Sequence, residues 1–492
     1  MRLLVTCLAA LSLSACGKSD APTATEESEQ PMLSGAPDIA EVRKASESAG
    51  GSITATTDAL LQRAQEFDSL NSMITVAAKS ALEQARGLDR KPSEGLRLKG
   101  IPLVVKDNIH VAGMPNTAGT PALQSFIPAT DNAVIARLRA QGAIFLGKAN
   151  MHELAFGITS DNAAFGAVGN PHDPSLFPGG SSGGTAAAIA AGIAPAGLGT
   201  DTGGSARIPA ALTGIAGFRP SSGRYPAGAV TPISQTRDTV GVLARNVTDI
   251  ALIDSVIVDI ENSLPDVDLS QLRLGVPRAF FYANLDAELE QVIDATLTKL
   301  SDAGVELVPV ELEGLEALMA ATGFPIAVYE VEQELPIYLE TFNTGKTFAD
   351  LAMTAASPDV AGLLKAIQSG EGAVPKAIYE QALVARAQTQ ALFANTFAQQ
   401  ELDALVFPTC ILPARPIAGS LQTVELNGEQ VPTFPTYIRN TDPASIAGTP
   451  GISVPAGKTV SGLPVGIELD GKVNDDRKLL AIARAVEQLL AK

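Results

Sequence analysis

The feature that most constrains this chain is the segment GGSSGGTAAAIAAGIAPAGLGTDTGGS, which spans residues 179–205. It has a Gly-Gly-Ser at each end and, between them, a pattern that predicts a helix followed by a strand. Glycine inside a regular element costs about 0.5–1 kcal/mol relative to alanine, so these glycines indicate a requirement other than stability. Glycines let backbone N–H groups approach a ligand, and a serine among such groups is one way to place a nucleophile beside an oxyanion hole. Ser181 and Ser205 are therefore candidate catalytic residues.

A serine nucleophile needs a base, and the sequence offers a lysine more readily than a histidine. His110, His152 and His172 are scattered and there is no Gly-x-Ser-x-Gly motif, although the number of histidines alone does not exclude a Ser-His-Asp triad. The segment GIPLVVKDNI, residues 100–109, predicts a short buried strand that bears Lys106. A lysine with a pKa of about 10.4 is neutral in roughly one molecule in 2500 at pH 7, and burial can favour the neutral form. The alternative is that Lys106 is an ordinary surface lysine.

Strands and helices alternate along the chain, which predicts an α/β fold with helices layered around a mixed sheet. Residues 315–400 have a mostly helical pattern, and late strands are expected within 403–414 and 451–469. The chain has no tryptophan and only 4% aromatic residues, so its interior must consist of small and aliphatic side chains in closely approaching elements. Residues 51–492 are expected to form the catalytic domain, with Cys410 as a small buried hydrophobe rather than a disulfide partner.

From residue 179 the chain continues into ARIPAALTGIAGFRPSSGR, and the whole segment resembles the signature of the amidase signature family of amide hydrolases. The similarity includes GGSSGG, the GTDTGGSARIPA block and GFRPSSGR, in which Arg219 and Ser221 replace the lysine and threonine that the family more often has. GIPLVVKDNI resembles the family's lysine-bearing strand, and NTDPASIAGTPGISVPAGKTVSGLPVGIEL resembles its carboxy-terminal block. The resemblance covers residues 55–490 and implies the amidase signature fold, a large mixed central sheet with helices on both faces.

The resemblance also implies a role for each residue of the site. The family's serine–cis-serine–lysine triad falls on Ser205, Ser181 and Lys106, with a cis peptide bond next to Ser181. Ser205 would attack the amide carbonyl, and Ser181 would pass the proton to neutral Lys106, with both hydroxyls on the floor of one pocket. The other implied assignments are oxyanion-binding N–H groups at Thr202, Gly203, Gly204 and Ser205, a brace formed by Asp201 and Arg207, and a hydrogen-bonding support at Ser182.

The activity implied by the resemblance is hydrolysis of linear carboxamides to a carboxylate and ammonia or an amine. The expected partner is a small-molecule amide, with no cofactor and no metal. The carboxy-terminal block is slightly more similar to mandelamide-type and indoleacetamide-type members. The pocket is expected to be lined from residues 320–345 and 431–445, where Arg439 could meet the substrate or form a structural hinge.

Two alternative functions stay open at this point. One is the glutaminase subunit of a tRNA-dependent amidotransferase, and the other is a catalytically inactive lipoprotein that binds amides. The formal charge of −18 argues against any nucleic-acid partner, because phosphate binding needs a basic surface. An export signal would argue against the first alternative as well, since that partner is cytosolic.

The amino terminus indicates export. Residues 1–15, MRLLVTCLAALSLSA, have the basic start and apolar stretch of a signal peptide, and the Leu-Ser-Ala-Cys ending resembles the bacterial lipobox, with Cys16 lipidated. The alternative is an ordinary signal peptide with a chance cysteine. Residues 16–50 are expected to be a flexible tether, because most of this segment is rich in Ser, Thr, Glu and Pro and lacks periodicity. These features predict a lipid-anchored protein facing the periplasm, and Gly17, where an aspartate would favour the inner membrane, favours the outer one. No apolar span in the body is long enough for a transmembrane helix.

Overall fold

The computed structural model describes residues 35–92 and 95–492 of the chain. Within these ranges the strands are β1 (Met73–Val76), β2 (Pro102–Lys106), β3 (Ile144–Ala149), β4 (Ala196–Asp201), β5 (Ala216–Arg219), β6 (Thr239–Ala244), β7 (Arg273–Val276), β8 (Glu306–Pro309), β9 (Ala404–Pro408), β10 (Thr423–Leu426), β11 (Glu429–Pro432), β12 (Gly451–Lys458) and β13 (Pro464–Asp470). The helices are α1 (Ile39–Glu47), α2 (Ile53–Glu66), α3 (Ala78–Asp89), α4 (Ala133–Ala140), α5 (Gly183–Ala190), α6 (Arg207–Thr213), α7 (Val247–Ile257), α8 (Arg278–Phe281), α9 (Ala287–Asp302), α10 (Leu315–Thr341), α11 (Phe348–Thr354), α12 (Pro358–Ser369), α13 (Lys376–Gln399), α14 (Thr433–Ile438), α15 (Asp442–Ala447) and α16 (Asp476–Leu490).

Eleven of these strands form one mixed sheet in the order β1-β3-β2-β4-β6-β5-β12-β13-β9-β7-β8, and β10 pairs with β11 in a separate hairpin. Strand β2 is parallel to β3 and β4, and β7 is parallel to β8 and β9. Each neighbouring pair between β4 and β9 is antiparallel. Helices α5 and α6 pack on one face, and α7, α9 and α16 pack on the other. The predicted α/β class, with a large mixed sheet between helices, is confirmed.

The parallel pairing of β2 with β4 brings two parts of the predicted site together. Leu103 of β2 lies opposite Ala196 of β4, and Val105 lies opposite Leu198, so the two strands end at the same edge of the sheet. All five residues of β2 are buried, as the predicted apolar strand requires. Lys106, the last residue of β2, therefore lies beside the end of β4, where the chain enters the second Gly-Gly-Ser.

Helix α6, which begins just after Ser205, packs very closely against the sheet. A Cβ atom on Gly217 of β5 would lie 2.5 Å from the Cβ of Ala210 and 2.6 Å from the backbone oxygen of Ala206. These distances are shorter than normal van der Waals contacts, so no larger residue fits at Gly217 without displacing the helix. The close approach of elements that the composition predicts is present where the chain leaves the site.

The predicted tether, residues 16–50, extends too far toward the domain. Asp38 caps α1, because its side chain accepts from the N–H of Glu41 at 2.8 Å while the Glu41 carboxylate accepts from the N–H of Asp38 at 2.9 Å. Ile39 is buried, and its N–H donates to Asp249 at 2.9 Å. The Asp-x-x-Glu spacing of this capping box is visible in the sequence, so the signal for the helix was present.

Residues 1–34 lie outside the described ranges, so the signal peptide over 1–15 and the lipidation of Cys16 stay predictions. In the part of the chain that the structure describes, no helix combines the length and apolar character needed to cross a membrane. Cys410 is free and only 2% exposed, in agreement with its interpretation as a small buried hydrophobe.

Candidate active site

The two Gly-Gly-Ser turns lie side by side. Ser181 and Ser182 immediately precede α5, and Ser205 ends the loop that follows β4. The N–H of Ser182 donates to the carbonyl oxygen of Ser205 at 3.2 Å. The Ser182 hydroxyl donates to the carbonyl oxygen of Thr200 at 3.2 Å and accepts from the Thr200 N–H at 3.3 Å. Ser182 thus joins the first turn to the end of β4 and lies where a supporting residue was expected.

Lys106 is fully buried, and its amine contacts the first turn. Its Nζ lies 2.7 Å from the Oγ of Ser181 and 2.7 Å from the Oγ1 of Thr200. Burial lowers the pKa of Lys106 from 10.5 to about 7, against the opposing effect of Asp201 and Asp238. A far larger share of the molecules than for an ordinary lysine therefore carries a neutral amine at pH 7, and this amine can accept a proton from the serine beside it.

The two serines differ in their exposure. Ser205 is 8% exposed and lines a cavity, whereas Ser181 is fully buried and does not line it. The expectation that both hydroxyls lie on the pocket floor is therefore wrong for Ser181, which lies behind the floor next to Lys106. The Gly180–Ser181 peptide bond is cis. The Ser205 hydroxyl has no hydrogen-bond partner among the described residues, so the contact through which its proton would reach Ser181 is not formed in this structure.

The loop between β4 and α6 offers a set of free backbone donors. The main-chain N–H groups of residues 202–205 have no acceptor among the residues that the structure describes. The loop is held from outside by the Thr441 hydroxyl, which donates to the carbonyl oxygen of Gly203 at 2.6 Å. Gly204 has a φ of 135°, and a Cβ there would lie 2.0 Å from the Oγ1 of Thr441. Glycine is therefore required at this position, and the loop can present its N–H groups to an oxyanion.

A buried group of charges holds the base of this loop. Arg207 donates to both carboxylate oxygens of Asp201 at 3.0 Å each and to Glu468 at 2.8 Å. Arg219 also donates to Asp201 at 3.2 Å. Burial alone would raise the pKa of Asp201, but the two guanidinium groups hold it well below its usual range. The structure thus brings Asp201 and Arg207 together as expected and adds Arg219 and Glu468 to the group.

Replacing Arg207 with methionine is expected to lower the free energy of unfolding by about 3–5 kcal/mol, because buried Glu468 loses its counter-charge and Asp201 keeps only Arg219. Urea denaturation followed by circular dichroism measures this loss. Lys376→Met is the control, since the Lys376–Glu380 pair is 76% and 60% exposed and should contribute little. An equal loss of stability in the two variants would contradict the proposed role of the buried charges.

The cavity in front of Ser205 has a volume of 390 Å³. Three charged side chains reach it, namely Arg237, Asp359 and Asp442. Most of the remaining lining is apolar, contributed by Ala155, Phe156, Ile158, Ile233, Phe324, Ala327, Val328, Leu363, Leu421, Phe434, Pro435 and Ile438. A cavity of this size and composition can hold a small aryl or alkyl amide.

Both segments expected to line the pocket, 320–345 and 431–445, contribute to it. Arg439 does not line it, and its side chain is hydrogen-bonded to Asn440 at 3.1 Å and to a backbone oxygen at 3.4 Å. The loop residues 155–158 also line the cavity, and the sequence analysis missed them. This loop has no motif that marks it, and only the fold brings it to the site.

The three histidines form hydrogen bonds to groups other than Ser181 and Ser205. His110 is hydrogen-bonded to the Tyr338 hydroxyl at 2.7 Å, His152 to Asp359 at 3.0 Å, and His172 to a backbone oxygen at 3.0 Å. Burial lowers the pKa of His110 to about 4. None of these rings is hydrogen-bonded to a serine of the Gly-Gly-Ser turns, so the structure does not support a Ser-His-Asp triad.

The sheet, the paired serine turns and the buried lysine together define a class of hydrolase in which serine chemistry takes place without histidine. A profile of the Amidase family matches residues 55–480, and the chain belongs to that family. This finding confirms the resemblance that the signature residues gave.

The names of individual relatives also describe amide hydrolysis. The chain is 42% identical over 434 residues to an indoleacetamide hydrolase from Rhizobium radiobacter, covering 88% of this chain and 92% of the relative. It is 41% identical over 458 residues to a mandelamide hydrolase from Pseudomonas putida, covering 88% of each. The solved structure of a native peptide amidase from Stenotrophomonas maltophilia has a TM-score of 0.77 and 31% identity, covering 92% of this chain and 97% of the other. The protein is thus an enzyme that hydrolyses carboxamides.

Proposed function

We propose that the enzyme hydrolyses aryl-substituted acetamides to the carboxylate and ammonia, with Ser205 as nucleophile, Ser181 as proton relay and Lys106 as base. The observation that carries this assignment is the 2.7 Å hydrogen bond between the fully buried side chains of Lys106 and Ser181. A buried amine with a lowered pKa can act as a base at neutral pH, which an exposed lysine cannot do.

The reaction begins when the Ser205 hydroxyl forms a hydrogen bond to Ser181. Ser181 then passes its own proton to the neutral amine of Lys106 and takes the proton of Ser205, whose oxygen attacks the amide carbonyl. The free N–H groups of residues 202–205 stabilise the oxyanion of the tetrahedral intermediate. The C–N bond breaks as Ser181 gives a proton to the leaving nitrogen and recovers one from Lys106. Water then cleaves the acyl-enzyme by the same relay, which releases the carboxylate and restores Ser205.

Two observations support an aryl-acetamide substrate. The named substrates of the curated relatives, an indoleacetamide and mandelamide, both carry an aromatic group on an acetamide. The cavity beside Ser205 is lined mainly by apolar and aromatic side chains, including Phe156, Phe324 and Phe434. Burial of an aromatic ring against such a surface is favourable, because apolar area leaves water. A glutaminase subunit acting on transfer RNA is less well supported, since the chain has a formal charge of −18.

Turnover of an amide panel tests the proposal. Purified protein should convert indole-3-acetamide, mandelamide and phenylacetamide to equal amounts of ammonia and carboxylate, and mass spectrometry of the quenched reaction should find an acyl group on Ser205. The panel also includes glutamine, and the control is each amide in buffer without the enzyme. Hydrolysis of glutamine without hydrolysis of any aryl-acetamide would contradict the proposed substrate class, and an absence of all turnover would favour a binding lipoprotein.

We also propose that the enzyme is exported and anchored through a lipidated Cys16 in a bacterial membrane, facing the periplasm and preferably in the outer membrane. The support is the signal-peptide pattern of residues 1–15, the Leu-Ser-Ala-Cys ending and the polar segment that follows. Two or more acyl chains on one cysteine provide stable membrane attachment.

Replacing Cys16 with serine in the full-length protein is expected to move the enzyme from the detergent phase to the aqueous phase, because the acyl attachment site is lost. Phase separation in a detergent such as Triton X-114, followed by an activity assay of both phases, measures the change. Cys410→Ser is the matched control, since Cys410 is buried in the domain and should leave partitioning unchanged. Continued partitioning of the Cys16→Ser protein into detergent would rule out the anchor.

A further inference from the structure

At the mainly apolar cavity, one accessible carboxylate oxygen makes no hydrogen bond within the described part of the chain. Asp442, at the start of α15, contacts the Nη2 of Arg237 through its Oδ1. Its Oδ2 has no hydrogen-bond partner among the described residues, and its side chain is 16% exposed at the cavity. Burial raises the pKa of Asp442, whereas the contact with Arg237 favours its ionised form. The cavity therefore presents an unpaired carboxylate oxygen in mainly apolar surroundings.

The neighbouring helix leaves this oxygen open. Gly323 of α10 faces Asp442, and a Cβ on this glycine would lie 2.8 Å from the Oδ2. Any larger residue at position 323 would crowd the oxygen or displace the aspartate. The absence of a side chain at Gly323 is thus what makes the oxygen reachable from the cavity.

The other carboxylate of the cavity is not available in this way. The Oδ2 of Asp359 is hydrogen-bonded to His152 at 3.0 Å. The Oδ1 of Asp359 is shielded from solvent and has no partner among the described residues. A ligand in the cavity can therefore reach a free carboxylate oxygen at Asp442 and not at Asp359.

Asp442 also lies close to the reacting end of the cavity. A Cβ on Gly203 would lie 3.0 Å from the Oδ1 of Asp442, which places this side chain against the loop that offers the free N–H groups. A substrate whose carbonyl oxygen lies at that loop therefore has the Asp442 carboxylate beside its acyl part. A substrate without a donor would displace water from the oxygen and leave it unpaired, which weakens binding.

We infer that the Oδ2 of Asp442 is a specificity determinant that accepts a hydrogen bond from a hydroxyl or N–H group on the acyl part of the substrate. This inference rests on the proposed hydrolysis of aryl-acetamides. The enzyme then prefers donor-bearing amides over otherwise equal amides, because a site built to pair a polar group discriminates against the analogue that lacks it.

Two matched substrate pairs test the inference: mandelamide against phenylacetamide, and indole-3-acetamide against 1-methylindole-3-acetamide. In the wild type, kcat/KM should favour the donor-bearing member of at least one pair. Asp442→Asn should reduce that preference by about tenfold or more, because a hydrogen bond to a charged group is lost. Gly323→Ala should reduce it as well, since a methyl group there covers the oxygen while the charge stays and alanine suits a helix.

Asp403→Asn is the control, because Asp403 pairs with Lys478 at 2.8 Å and does not line the cavity, and it should leave the preference of the wild type in place. The inference is overturned if Asp442→Asn keeps the wild-type preference in both pairs. It is also overturned if Asp442→Asn slows both members of each pair equally, which would mean that Asp442 acts only through its contact with Arg237. If the wild type hydrolyses none of the four amides, the proposed function itself is wrong, and this inference falls with it.

Discussion

Replacing Ser205 with alanine is expected to lower kcat for the amide substrate by about 10⁴-fold or more, because no acyl-enzyme can form without this hydroxyl. The fold should be unaffected, since the Ser205 hydroxyl faces the cavity and has no hydrogen-bond partner among the described residues. Steady-state release of ammonia gives the rate, and thermal unfolding of both proteins shows whether the structure is kept. Substrate should still bind, so isothermal titration of the variant should give a dissociation constant close to that of the wild type.

Ser182→Ala is a useful comparison for this variant. The Ser182 hydroxyl makes two hydrogen bonds to the backbone of Thr200, so its loss should cost stability and should slow the reaction much less. The assignment of Ser205 as nucleophile fails if Ser205→Ala keeps more than a tenth of the wild-type rate. It fails equally if the Ser182 variant is as inactive as the Ser205 variant.

The second large effect is expected at Lys106. Its replacement with alanine should lower kcat/KM at pH 7 by about 10²- to 10⁴-fold, because the relay loses its base. In the wild type the neutral amine is the active form, so kcat/KM should rise with pH until Lys106 has lost its proton near pH 7 and should be level above that. In the Lys106 variant the rise in kcat/KM that levels off near pH 7 is absent, and the remaining activity increases with pH because hydroxide replaces the amine as the base. A pH–rate profile of both proteins between pH 5 and pH 10 measures the difference.

Lys148 provides a matched control, because it is a second fully buried lysine on the neighbouring strand β3. It lies 3.2 Å from Asp107 and away from the serine turns, and burial lowers its pKa as well. Lys148→Met should therefore reduce stability, since Asp107 loses its counter-charge, while the step near pH 7 stays in the profile. Near-normal turnover of the Lys106 variant at pH 7 would rule out the relay. Loss of the rise in kcat/KM near pH 7 in the Lys148 variant would mean that Lys148, and not Lys106, is the amine that titrates there.

The sequence could predict the parts of the site that lie in short continuous segments of the chain. The buried strand before Lys106 is visible as IPLVV, and the glycines around Ser181 and Ser205 mark two tight turns at the ends of a helix and a strand. Parallel strands β2 and β4 end at one edge of the sheet, which brings Lys106 to Thr200, and the hydrogen bonds of Ser182 to Thr200 hold the first serine turn at the same place. These patterns mark the residues, whereas the pairing of Lys106 with Ser181 was implied by the family resemblance.

The contacts that sequence could not predict join residues far apart in the chain. Arg237, just before β6, and Asp442, at the start of α15, are separated by 205 positions and meet beside the loop after β4, where Arg237 also donates to the carbonyl oxygen of Thr202. The orientation of the Ser205 hydroxyl was not predictable either, since a serine rotamer depends on its surroundings rather than on a motif. The helix near Asp38 is a different case. Its capping box is visible in the sequence, but the polar composition of the surrounding segment favoured the prediction of a flexible tether.

The complete burial of Lys106 has a practical consequence for handling the enzyme. An electrophile such as an activated ester modifies amines that it can touch, and Lys106 and Lys148 present no surface to it. Lysines such as Lys376, which is 76% exposed, would react first. Covalent immobilisation on a resin through surface amines should therefore leave the proton relay chemically intact, so that the attached protein keeps its turnover per molecule.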